Sequence, residues 1–272
     1  MSASVTGARR LLILLTAALG LAVASPLAVA GQGAPSASDQ LRAAASTPFT
    51  LDLSTKGDFV AQTNFVQCVG ASMQMMLNMV RAHDDRTAAT QLDLQNLARR
   101  LSGSRPDGRQ RQGASIRGWT AGLNQLGAGP YRTTGATDIQ SILRIAAEAM
   151  RETNRPVGLL VWRGRHAWVM AGFTATADPR YTDDFVITEV IVMDPLYPYG
   201  SKTWGPSPKP RESLTVEELG RQFVPRGSRT SLPGGGTGSS GTSGWSQGLA
   251  GKYVVALPFV VTAPRGMGSG LR

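Results

Sequence analysis

Four residues of this 272-residue chain have the types and spacing of an acyl-transfer centre. The chain holds a single cysteine, Cys68, in the segment Gln62-Thr63-Asn64-Phe65-Val66-Gln67-Cys68-Val69-Gly70-Ala71-Ser72. Far downstream stand His166, in Arg165-His166-Ala167-Trp168, and Asp194, in Val192-Met193-Asp194-Pro195. A lone cysteine with a distant histidine and carboxylate is the sequence form of a thiol nucleophile, its base and the group that orients the base. Acyl transfer also needs donors aimed at the oxyanion that develops in the transition state. A side-chain amide and the cysteine's own backbone N–H can supply two, and Gln62 is the expected amide. Gln67 directly precedes the thiol and is poorly aimed to share a hole with its neighbour.

A thiol becomes a good nucleophile at a helix N-terminus and beside an imidazole. Val69, Met73, Met76, Leu77 and Val80 recur at helical spacing, so a helix is expected to begin at Cys68 and bury one face. Its methionines (Met73, Met75, Met76 and Met79) read as core filler. The chain offers two histidines. His83 falls on what reads as the same helix, about 22 Å from Cys68 at 1.5 Å per residue, which leaves His166 as the base. Around His83, Arg81, Asp84 and Asp85 make a solvated helix end.

The base and its orienter need a sheet. Three further helices are expected before it, over 92–101, 115–126 and 138–152. Residues 102–112 read as a polar loop between the first two. Apolar runs then predict strands over 156–162, 166–176 and 185–193, joined by a turn at 163–165 and a polar connection at 178–184. As an antiparallel meander these bring the start of one strand beside the end of the next, so His166 and Asp194 are expected to meet at one sheet edge. Asp178, Asp183 and Asp184 fall at the far end. A capping box at Thr215–Glu218 opens a short helix that buries Leu219 and Phe223. Residues 231–251, mostly Gly, Ser and Thr around Trp245, read as a flexible insertion before a last strand over 252–261.

Residues 1–30 read as a signal peptide. Arg9 and Arg10 precede an apolar stretch, and Ala28-Val29-Ala30 is a small-x-small cleavage site. A retained membrane anchor competes with that reading, because 11–30 is charge-free and about long enough to span a bilayer. Residues 31–48 read as a flexible leader, 49–262 as the domain and 263–272 as a tail. Export makes the odd cysteine more pointed, since exported proteins usually pair their thiols. One cysteine and two histidines supply neither an internal disulfide nor a structural zinc site, and no cofactor or metal is expected. Removing residues 1–30 lowers the net charge from +10 to +8. That balance could favour an anionic cell-wall or membrane surface or an acidic substrate, but an arginine-rich solvated surface is the preferred reading. The basic residues are scattered without an aromatic-interleaved stripe, so no nucleic-acid partner is expected.

These residues resemble the papain-like cysteine peptidase superfamily. Gln62 followed after five residues by Cys68 matches that superfamily's oxyanion glutamine and nucleophile. Arg165-His166-Ala167-Trp168-Val169, with Gly172 beyond, is similar to its His-Ala-Val strand. Asp194-Pro195 in place of the usual asparagine resembles the bacterial bacteriocin-processing, or double-glycine, branch. The family usually has an aspartate before the cysteine and Gly-Pro after it, where this chain has Gln67 and Val69-Gly70. The resemblance spans roughly residues 58–200. It implies an α+β papain-like fold and a secreted thiol protease acting on a peptide or protein, with Cys68, His166 and Asp194 catalytic and Gln62 in the oxyanion hole. Transglutaminase-like acyl transferases also run Cys, His, Asp, but the glutamine spacing and the longer Cys-to-His interval favour a peptidase. A small papain-like cell-wall amidase would use a similar set of residues, and a non-catalytic exported module could keep the same scaffold.

Overall fold

The computed structural model describes residues 36–38, 47–81, 83–104, 112–227 and 248–261. The described residues from 37 onward form one compact unit. The expected signal peptide and tail, most of the leader, and the flexible insertion up to residue 247 lie outside the described residues.

Helix α1 runs Cys68–Arg81. It begins there because the Gln67 carbonyl accepts from Ala71 N at 3.0 Å, the first bond of the helical ladder. Met73, Met75 and Met76 are fully buried and Met79 packs beside them, as core filler should. The helix stops before His83, so that histidine is not on α1 as expected; its N–H bonds Asn78 O instead.

Helices α2 (Ala88–Leu101), α3 (Ile116–Gln125) and α4 (Ile139–Thr153) each start behind a capping side chain: Thr87, Ser115 and Asp138 accept from Thr90, Gly118 and Ser141 N. The expected start of α2 at residue 92 is corrected by one turn. Residues 88–91 carry no large apolar side chain, and the Thr87 cap sets the boundary instead.

All strand pairings among the described residues are antiparallel. The main sheet contains β1 (Phe49–Asp52), β2 (Tyr131–Ala136), β3 (Val157–Val161), β4 (His166–Ala175), β5 (Ile187–Met193), β8 (Glu212–Thr215) and β9 (Tyr253–Pro258). Its order is β2-β9-β3-β4-β5-β8, and β1 pairs the second half of β4. A small hairpin pairs β6 (Gly200–Ser201) with β7 (Gly205–Pro206). The expected β3-β4-β5 meander is present, and β9 returns beside β3. Five strands, β1, β2, β6, β7 and β8, were not expected. Gly172 of β4 admits β1 closely: a Cβ there would lie 2.3 Å from Leu51 O.

The sheet is covered on both faces. Along β4, Trp168, Met170 and Phe173 join one apolar cluster with α4, Leu219 and Phe223. Ala167, Val169 and Ala171 join the other, with α1, α2 and α3. Burial on both faces explains why β3 and β4 read as unbroken apolar runs. The fold is therefore α+β, an antiparallel sheet between one long helix and three. The capping box at Thr215 opens α5 (Val216–Gly220), with Leu219 and Phe223 fully buried. No helix among the described residues is long and apolar enough to cross a membrane.

Candidate active site

His166 opens β4 and Asp194 follows the end of β5. The last paired rung of these strands is Val169↔Met193, so both residues lie just beyond it, at one end of two central strands rather than at a lateral edge of the sheet. There His166 Nε2 donates to Asp194 Oδ1 at 2.6 Å. The bond is buried, with His166 4% exposed and Asp194 0%. Asp194 Oδ1 also accepts from Leu196 N at 2.8 Å. Its other oxygen, Oδ2, is buried and meets no donor among the described residues. A buried carboxylate charge needs a counter-charge, and the imidazolium is the one at hand.

With Nε2 committed to Asp194, Nδ1 is the ring atom left for Cys68, which stands near enough to act on the charge of His166. Burial disfavours the charged ring, but Asp194 and Cys68 outweigh it and raise the His166 pKa from 6.5 to about 9. His166 is then an imidazolium at neutral pH, facing the thiol at the start of α1. Ser72, one turn into α1, donates to Ala167 O at 3.2 Å and ties the helix to β4 next to the histidine.

Gln62 sits in the loop before α1. Its backbone N–H donates to Pro195 O at 2.7 Å, joining this loop to the segment that carries Asp194. Its side-chain Nε2 donates to Asn64 O at 2.8 Å, which leaves one amide N–H of that group. Gln67, the other glutamine near the thiol, accepts from the Thr63 hydroxyl and starts the helical ladder.

Two further glutamines, which sequence reasoning missed, hold this loop from α2. Gln91 Oε1 accepts from Thr63 N at 2.8 Å while its Nε2 donates to Ala61 O at 3.0 Å. Gln95 Oε1 accepts from Gly70 N at 2.9 Å while its Nε2 donates to Val66 O at 2.9 Å. Of the leading N–H groups of α1, Gly70 and Ala71 are thus satisfied. Those of Cys68 and Val69 meet no acceptor among the described residues, as an oxyanion hole requires. The available signal was positional: Gln91 and Gln95 lie at helical spacing in the buried stripe that holds Leu94 and Ala98. A third residue missed is Trp162, whose ring stacks on His166 at 4.2 Å between centroids.

His83 is exposed and away from this cluster, and Asp178 pairs with Arg151 at 2.9 Å. Among the described residues no group of three or more His, Cys, Asp or Glu could hold a metal ion. No protein-family model, curated protein or solved structure matches the chain.

Proposed function

We propose that this chain is a cysteine hydrolase of papain-like architecture that cleaves a peptide or amide bond through an acyl-enzyme. One observation carries the reading: a buried imidazole is bonded through Nε2 to a carboxylate and feels the chain's only cysteine, which stands at a helix N-terminus. The Cys68 thiolate attacks the substrate carbonyl carbon. The oxyanion is received by the Cys68 N–H and the remaining amide N–H of Gln62. His166 gives its proton to the departing amine, leaving a thioester. It then takes a proton from water, whose oxygen displaces the thiolate, and the protonated ring again faces Cys68. Asp194 holds the ring and balances its charge throughout.

The resemblance to the double-glycine branch and the expected export signal point to a peptide or protein substrate outside the cytoplasm. The basic surface would favour an anionic envelope polymer or lipid surface.

Iodoacetamide labelling near neutral pH tests the central claim. Cys68 should label much faster than a model thiol, and His166→Ala should remove the excess. Labelling at the model-thiol rate in the wild type sinks the activated-nucleophile reading. Panels of peptides with and without amine acceptors then separate hydrolysis from acyl transfer to an amine.

A further inference from the structure

We propose that Trp162 is the positioning residue of His166, and that Gln222 holds Trp162 in place for it. The inference rests on the Cys68–His166 pair described above and adds the device that aims it. Trp162 directly follows β3 and opens the short 3-10 turn (Trp162–Gly164) that leads to His166. Its indole lies over the imidazole, with ring centroids 4.2 Å apart and planes inclined by 24°.

The turn that produces this stack has an unusual backbone. Trp162 and Arg163 both have positive φ, 56° and 58°, and Gly164 follows at 88°. Residues with a Cβ adopt that region in succession only where the surroundings fix them. Gln222 does the fixing. Its carbonyl accepts from Trp162 N at 3.0 Å, and its side-chain Oε1 accepts from Trp162 Nε1 at 2.9 Å. Its own Nε2 donates to Pro206 O at 3.2 Å, tying the clip to β7. Both donors of the tryptophan therefore go to one residue, which follows α5 and sits beside the fully buried Phe223.

An imidazole turns easily about its Cβ–Cγ bond, because that torsion is broad. The bond to Asp194 fixes Nε2 but still lets the ring rock about it. A flat ring on its face removes that freedom and keeps Nδ1 directed at Cys68. The indole face also favours the charged ring by cation–π attraction and shields it from water. The titratable groups acting on His166 are Cys68 from α1 and Asp194 after β5. Trp162 adds no charge of its own, so its effect can be separated from theirs.

The test uses the full chain and the variants Trp162→Phe, Trp162→Leu and Gln222→Ala. The readouts are the His166 titration by NMR and the pH profile of Cys68 alkylation by iodoacetamide. Two histidines give two signals, and His83→Gln assigns them. Trp162→Leu should lower the His166 midpoint by about one unit and slow labelling at pH 5 by about tenfold. Trp162→Phe, which keeps a ring, should stay within about twofold of wild type, and Gln222→Ala should fall between. A folded Trp162→Leu with wild-type midpoint and profile overturns the proposal, because a space-filling tryptophan would move neither. Should Trp162→Leu not fold, Gln222→Ala decides by the same midpoint. If wild-type Cys68 labels like a model thiol, the hydrolase reading fails. The midpoint difference between variants still decides the role of Trp162.

Discussion

His166 is buried and yet carries a proton through neutrality, which makes the stability of the fold depend on pH in a definite direction. Its folded pKa of about 9 lies above the ordinary 6.5. The stabilisation is therefore complete below pH 6.5 and is lost as pH rises through about 9. Urea unfolding at pH 6 and at pH 9.5 should differ by on the order of 3 kcal/mol from this group, and His166→Asn should flatten that difference. Asp194 offers a second check. Asp194→Asn keeps an acceptor for His166 and Leu196 N and should cost little stability, while it lowers the His166 midpoint by removing the charge. Asp194→Ala leaves both donors buried without a partner and should cost about 3–5 kcal/mol. Equal stability losses for the two variants would contradict the buried-pair account. Cys68 and His166 were legible in the sequence because their types are scarce, and Asp194 because it closes an apolar strand. Trp162 was not, since an aromatic at the end of an apolar strand has no feature that sets it apart until its backbone is seen.

The interface between α1 and α2 is where the elements decide how the site is held. Gln95→Leu removes the acceptor for Gly70 N and the donor to Val66 O, and should destabilise the fold by about 1–3 kcal/mol in urea unfolding. Gly70→Ala poses helix propensity against packing. Alanine favours a helix interior by about 0.5–1 kcal/mol. Its Cβ, however, would meet Gln91 O at 2.6 Å and Gln95 Cβ at 2.8 Å. Backbone cannot yield as a flexible side chain does, so the variant should lose about 1–3 kcal/mol net. An unchanged or raised Tm would show that the helices part freely. Among the elements, α1, α3, α4 and the β3-β4-β5 meander were readable because each buries a regular apolar pattern. β2 was not: Tyr131-Arg-Thr-Thr-Gly-Ala buries only its tyrosine, and the strand is secured by pairing with the distant β9. Gln91 and Gln95 went unread, because their backbone partners are in a loop that sequence periodicity does not describe.

Across the molecule, Cys68 belongs to the helical layer and His166 to the sheet, so the candidate site exists only while the two are pressed together. The last strand, β9, lies between β2 and β3 and buries Val254 through Leu257. A chain ending at residue 227 would leave β2 unpaired and both apolar clusters open. Limited proteolysis should find it degraded rapidly under conditions where the full chain resists. Resistance equal to the full chain would show that β9 is an accessory. The α+β class could be read from the succession of helical and strand patterns. The order of strands beyond the β3-β4-β5 meander could not, because it depends on pairings between distant segments.

The separation of the site between layers also governs when its chemistry begins. Cys68 emerges from the ribosome long before His166 and Asp194, and the strand that closes the sheet emerges later still. Pairings between such distant segments form late in folding. A nascent chain therefore carries Cys68 with no imidazole beside it, and the two meet only once the sheet has closed. On the proposed reading, assembly of the fold is itself a safety catch on the thiol.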